Sequence, residues 1–221
     1  MIYLFCNEKY GYLFMQTALR YAKYYPISLT IVLSGKNKAS PLRWNQIKSK
    51  AALFLGDFYR KTKIPYQLLT VKNINSSDFY QTVLPSSHGI IAGFNQIFKL
   101  EAIKHFQTLV NFHPSILPFY RGPVPSHWCI QYQEEFTGYT LHKVTDKVDQ
   151  GEILFQEKVA IENIKDPEIL DQKIAAFATP CLWEYLDHIV GDLTWHSQVI
   201  DSKHVYKNPI NYLSFPREQN V

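Results

Sequence analysis

The chain has 221 residues, 46% hydrophobic and 19% charged, with a net charge of +4. Those values suit one large folded domain and exclude general disorder. The charge is too mild and too spread for a nucleic-acid track, and Lys36, Lys38, Arg43, Lys48 and Lys50 read as a solvated face.

Ile2–Cys6 is a short apolar run suited to a strand buried on both faces, and Tyr12–Tyr24 carries Leu13, Ala18, Leu19 and Ala22 at helical spacing. The β-branched run Ile27–Leu33 predicts a second strand. A long helix is expected over Trp44–Lys61, then, past Pro65, a strand over Gln67–Val71. Ser76, Ser77 and Asp78 offer N-cap chemistry for a short helix. Gly89–Gly93 and Thr108–Phe112 are strand-like, with a helix over Lys99–Phe106 between them. This succession predicts an α/β fold built on a doubly wound, mostly parallel sheet. From Gly138 the pattern changes, and Tyr139–Val144 and Ile153–Ile161 predict two antiparallel or mixed strands. Asp166–Val190 is the strongest amphipathic helix, with Ile169, Leu170, Ile174, Phe177, Leu182 and Tyr185 on related faces. Pro180 is expected to kink or split it.

Cys6, Cys129 and Cys181 are widely spaced and form no CxxC pair, which argues against a disulfide framework or a zinc site. The histidines lack metal-ligand spacing, so no metal is expected. The N-terminal MIYLFCNEKYG has neither the basic start nor the long apolar run of a signal peptide, and no stretch is long enough to span a membrane. A soluble cytoplasmic protein is therefore expected, without membrane or nucleic-acid partners.

Residues 111–122 read NFHPSILPFYRG. Asn111 and His113 lie two apart, on one side of an extended strand end, and the proline-rich segment after them must leave the sheet as a loop. Open parallel sheets bind ligands beyond the carboxyl ends of their strands, at a topological switch point. An Asn amide and a protonated His can both donate to an oxygen that gains negative charge. A His also exchanges protons near neutrality, and Asp149 is placed to orient the ring and favour its cation.

The order N-x-H-P-S-x-L-P-x-x-R-G, then GYTLH at Gly138–His142 and VDQG at Val148–Gly151, resembles the folate-dependent formyltransferase family. That resemblance covers residues 85–160 strongly and the N-terminal strands only in pattern. It implies a Rossmann-like catalytic domain over residues 1–190, a short C-terminal α/β extension over 191–221, and 10-formyltetrahydrofolate as formyl donor. By the same likeness the catalytic residues are Asn111, His113 and Asp149, with Asp146 a competing carboxylate. GIIAGFNQIF at Gly89–Phe98 looks like the segment whose backbone lines the pterin pocket, which assigns Phe94, Asn95, Gln96 and Ile97 to the donor. Other members often carry Met-Arg where this chain has Asn95-Gln96. Thr145, Asp146 and Val148 belong to the stretch that closes over the folate head.

RGPVPSHW at Arg121–Trp128 resembles the members that formylate nucleotide-linked (dTDP or UDP) amino sugars for surface polysaccharides. It assigns Arg121, Gly122, Pro123, Trp128 and His142 to the substrate side. Arg121 stands equally for a donor or pyrophosphate contact and for a residue that pins the loop. His142 is a candidate for supporting the catalytic residues, and His127 for either the acceptor pocket or a helix surface. The remaining histidines, His88, His105, His188, His196 and His204, are read as structural. The glycinamide ribonucleotide class uses a Gly-Ser-rich phosphate loop, for which CNEKYGYLF is a poor substitute, and the methionyl-tRNA class carries a further C-terminal domain. Phosphoribosylglycinamide formyl transfer is the alternative activity, and a non-catalytic folate- or nucleotide-binding relative the alternative class. The resemblance also favours a homodimer.

Overall fold

Short apolar runs alternating with amphipathic segments assemble into one eight-stranded sheet in this computed structural model, which describes residues 1–6, 10–35, 40–41, 66–187 and 189. Its strands are β1 (Ile2–Cys6), β2 (Leu29–Ser34), β3 (Ser40–Pro41), β4 (Gln67–Val71), β5 (His88–Ala92), β6 (Thr108–His113), β7 (Phe136–Lys143) and β8 (Ile153–Ala160). They lie in the order β3-β4-β2-β1-β5-β6-β7-β8. The five from β4 to β6 are parallel, and β3, β7 and β8 run antiparallel to their neighbours. The expected α/β fold with a doubly wound, mostly parallel sheet is the fold observed.

The helices among the described residues are α1 (Gly11–Tyr24), α2 (Ser77–Tyr80), α3 (Leu100–Ile103), α4 (Pro125–Gln131) and α5 (Pro167–Asp187). Successive strand residues point to opposite faces, so Val110 and Phe112 join the core under α1 and α5, with Phe14, Leu19, Leu182 and Tyr185. Leu109 joins the other core, with Phe5, Phe79, Phe98 and Phe106. There Phe5 meets Phe79, Phe98 and Phe106 edge-on, with ring centroids 4.9–6.0 Å apart. Burial of each such ring stabilises the fold by about 1.5–3 kcal/mol.

Strand order reverses at β1, whose neighbours are β2 on one side and β5 on the other. Gly11 opens α1 there, and a Cβ at that position would lie 2.4 Å from Cys6 Cβ and 2.6 Å from the Ala92 carbonyl oxygen. Only glycine lets the helix start so close to the strand ends.

Several expectations need correction. The helix over Lys99–Phe106 is a single turn, because the chain bends at once to return through Gln107, whose N–H donates to the Ser87 carbonyl. The helix Pro125–Gln131 and the two-residue bridge Ser40–Pro41 were not expected. Pro180 does not split α5, which runs unbroken over 21 residues. Proline removes the N–H that would reach the Ala176 carbonyl, and the Thr179 hydroxyl donates to that oxygen instead, at 3.0 Å. Ile169 and Phe177 of α5 face outward, 54% and 47% exposed, while Leu170, Ile174, Leu182 and Tyr185 are buried. The helix over Trp44–Lys61, the loop after β1, the Lys36–Lys50 cluster, His188, His196, His204 and the extension 191–221 lie outside the described residues.

Candidate active site

β6 is the last parallel strand, one place beyond β5 and so next to the reversal point rather than on it. Asn111 and His113 share its α2–α3 face with Leu109. Across the antiparallel ladder, Asn111 pairs with His142 and His113 with Thr140. Four polar side chains are thereby stacked on one face at the strand ends. Asp149 completes the group from the loop after β7.

The distances define a compact set of hydrogen bonds and charge contacts. Asn111 Nδ2 lies 3.1 Å from His142 Nε2, and His142 Nδ1 lies 2.9 Å from the Lys143 carbonyl oxygen. A carbonyl only accepts, so His142 Nδ1 carries a proton. His113 Nε2 lies 2.9 Å from the Tyr120 carbonyl oxygen and is protonated for the same reason. The other nitrogen, Nδ1, faces Asp149 Oδ2 at 3.6 Å, while Asp149 Oδ1 lies 3.5 Å from His142 Nε2. The Gly122 N–H donates to Asp149 Oδ2 at 2.8 Å.

Burial tunes the charges. His113 is buried, which pushes its pKa below the ordinary value; the Asp149 carboxylate and the Tyr120 carbonyl oppose that push without overcoming it. For Asp149, burial works to raise the pKa, but the His113 and His142 rings and the Gly122 amide hold the carboxyl well below the usual carboxylate range. Near neutrality the site therefore holds a carboxylate beside a neutral imidazole.

The segment Tyr120–Gly122 serves both groups, since its first residue holds His113 and its last holds Asp149. Tyr120 and Gly122 both have positive φ, 57° and 97°. The loop that follows turns into α4 through Pro123, Val124 and Pro125, with Pro125 at the helix start. Arg121 is the largest fully buried side chain among the described residues, so it lies within the fold rather than in an open crevice. Trp128 is buried beside His127 and Tyr132, with ring centroids 5.5 and 6.0 Å away. Pro123 is exposed at the mouth of the loop.

Of the residues expected at the donor, Asn95 and Ile97 are exposed just past β5, and Phe94 is half-buried against the α2–α3 core. The Gln96 side chain is committed elsewhere. Its Oε1 accepts from the Ile74 N–H at 2.9 Å, and its Nε2 donates to Ser34 Oγ and the Val71 carbonyl at 3.0 and 3.2 Å. It ties β2, β4 and the segment after β5 together, so only its backbone is left for a ligand. Thr145 Oγ1 hydrogen-bonds within its own turn, while Asp146 and Val148 are exposed. Asp149, not Asp146, is the carboxylate that meets the imidazoles. Sequence reasoning missed Tyr120, whose carbonyl meets His113, and the buried Thr140, which with Gln156 bonds Ser115 and Leu117. A cleft of about 720 Å³ between β8 and α5, lined by Tyr139, Glu157, Phe177 and Glu184, lies on the face opposite Asn111.

The formyl transferase family profile matches residues 59–186, and the chain belongs to that family. Among sequence relatives, the methionyl-tRNA formyltransferase of Ehrlichia chaffeensis is 34% identical over 101 residues, covering 42% of this chain and 33% of the relative. The chain thus matches about a third of the length of the curated relatives. Among solved structures, the N-formyltransferase of Helicobacter canadensis, in complex with folinic acid and dTDP-3-aminofucose, superposes with a TM-score of 0.66 at 19% identity, covering 93% of this chain and 70% of that one. Glycinamide ribonucleotide transformylase 1 of Symbiobacterium toebii gives 0.64 at 16% identity, covering 90% and 93%. At such identities these two likenesses concern the fold.

Proposed function

We propose that the protein transfers a formyl group from 10-formyltetrahydrofolate to the amino group of a dTDP- or UDP-linked amino-deoxy sugar, in the cytoplasm, for surface polysaccharide synthesis. The observation that carries the reading is the group Asn111, His113, His142 and Asp149, which brings a neutral donor, a proton carrier and a carboxylate within 3.1–3.6 Å of one another. Among the described residues no His, Cys, Asp and Glu group suits a metal ion, and the donor set fits attack at a carbonyl carbon without one.

The folate donor supplies an activated formyl carbon. Asn111 keeps one amide hydrogen on His142 and offers the second to the formyl oxygen, where negative charge builds as the amine adds. His113 Nδ1 is the ring nitrogen left for proton transfer, because Nε2 is held by Tyr120. Asp149 lies behind it and receives, directly or through the ring, the proton that the amine loses. The new C–N bond forms as the bond to the donor nitrogen breaks, and that nitrogen ends with the proton. Exposed Asn95 and Ile97 and half-buried Phe94 suit the edge of a flat ring, and Val148 faces solvent from the loop after β7.

For the sugar acceptor, the support is the RGPVPSHW segment and a fold shared with a sugar 3N-formyl transferase at a TM-score of 0.67. The sequence relatives favour a second reading, in which the amine belongs to methionyl-tRNA. A panel assay decides. Tetrahydrofolate release is followed with UDP- and dTDP-linked 3- and 4-amino sugars, glycinamide ribonucleotide and methionyl-tRNA. Turnover with one amino sugar alone supports the proposal, and turnover only with either of the other acceptors overturns it.

A further inference from the structure

The Tyr120 carbonyl that holds His113 belongs to a segment that turns on itself, with the Phe119 N–H donating to the Ile116 carbonyl at 3.0 Å. Pro114 and Pro118 lack N–H groups, so residues 114–120 cannot extend the ladder of β6. The chain supplies a side-chain clamp instead. Thr140, fully buried on β7 and directly across the ladder from His113, donates its hydroxyl hydrogen to the Ser115 carbonyl at 2.7 Å. Thr140 Oγ1 in turn accepts from the Leu117 N–H at 3.1 Å and from Gln156 Nε2 at 2.9 Å. The second amide hydrogen of Gln156 goes to the Leu117 carbonyl at 2.8 Å. A hydroxyl has one hydrogen and two lone pairs, and a primary amide has two hydrogens, so all of them are used here. Because the Leu117 carbonyl can only accept, the atom of Gln156 facing it is the nitrogen. Ser115 Oγ continues the clamp to the Phe119 carbonyl at 2.8 Å, one residue before Tyr120. From the far side, Tyr120 is tethered through its phenol to Glu134 Oε1 at 2.5 Å.

We propose that Thr140 and Gln156 are positioning residues for His113: they hold residues 115–120 so that the Tyr120 carbonyl keeps the ring proton on Nε2 and turns Nδ1 toward Asp149. Neither side chain touches a reacting atom, and the consequence for rate rests on the formyl-transfer reading above. A clamp that merely stabilised the fold would lower the melting temperature without changing the tautomer of one histidine.

The test uses Gln156→Leu, Thr140→Val and Thr140→Ser in the full chain. Nitrogen NMR of the imidazoles, with His113→Gln to assign the His113 signals, reads the tautomer and its titration. Steady-state kinetics are run on the same proteins. The expected result for Gln156→Leu is a mixture of Nε2–H and Nδ1–H tautomers and a lower titration midpoint, since the Tyr120 carbonyl helps hold that midpoint up. Its kcat is expected to fall about tenfold with KM nearly unchanged. Thr140→Ser keeps the hydroxyl and is expected to restore the tautomer lost in Thr140→Val. A Gln156→Leu protein with wild-type tautomer and titration overturns the proposal, whatever its melting temperature. The NMR arm does not need turnover, so a wild-type protein silent toward every acceptor condemns the formyl-transfer reading while the clamp is still tested.

Discussion

Asn111 and His142 face each other across the β6–β7 ladder, with Asn111 Nδ2 3.1 Å from His142 Nε2. Since the Lys143 carbonyl takes the Nδ1 proton of His142, Nε2 accepts from Asn111, and the amide presents its NH2 end. One hydrogen is engaged and the other is aimed by that engagement. His142→Phe removes the acceptor and lets the amide turn. We expect kcat to fall about tenfold, the equivalent of one lost hydrogen bond, with little change in KM. Asn111→Leu, which removes the donor outright, is expected to cost about 10²–10³ in kcat. Steady-state kinetics on the two variants check both figures, and their order matters most.

Acidification is expected to destabilise the protein in two steps. His113 has a folded pKa below its unfolded value of about 6.5, so between the two values the unfolded chain binds the proton and the native chain does not. Stability is fully present above about pH 6.5 and falls as pH drops below it. His88, also pushed down by burial, adds to the same step. Asp149, held well below the carboxylate range, adds a second loss below about pH 4. Urea unfolding at pH 7.5 and 5.5 is expected to show a smaller difference for His113→Asn than for wild type.

The strand end carrying Asn111 and His113 was legible because a β-branched run stops at a proline, and the motif around it is local. Asp149 was legible through its spacing, although only the fold shows that it reaches two imidazoles. Gln96 was not, because the groups it binds belong to residues 34, 71 and 74, which the sheet brings together from other strands. The helix over Pro125–Gln131 was obscured by the Pro-Val-Pro run before it, where Val124 takes a left-handed conformation unusual for a β-branched residue. Phe177 looked like a core residue by periodicity, but the wide stripe of α5 exceeds what β7, β8 and α1 cover.

Arg121 distinguishes loop pinning from ligand contact. The Arg121 side chain has no exposed surface, and Arg121→Ala, which leaves the cavity of a large side chain, is expected to destabilise by about 3–5 kcal/mol. For a chain of this size that corresponds to a drop of roughly 6–20 °C in melting temperature. Calorimetry of the variant checks this, and an unchanged melting temperature with weakened substrate binding would reverse the assignment.

Gly151 lies two residues past Asp149, where a Cβ would be 1.8 Å from the Lys143 carbonyl oxygen. That contact is backbone, so it cannot yield by rotation of a side chain. Gly151→Ala is expected to push the Asp149 loop outward, cost about 1–3 kcal/mol, and remove most turnover. Thermal unfolding and kcat, measured together, test it.

The most direct test of the account is tetrahydrofolate release by Asp149→Asn, compared with binding of 5-formyltetrahydrofolate. Asparagine keeps the size of the side chain and an oxygen for the Gly122 N–H, but it cannot take a proton from the amine. Turnover is expected to fall by about 10²–10⁴ while folate binding is preserved. Turnover near the wild-type rate would contradict it, because the carboxylate between His113 and His142 would then have no part in the chemistry.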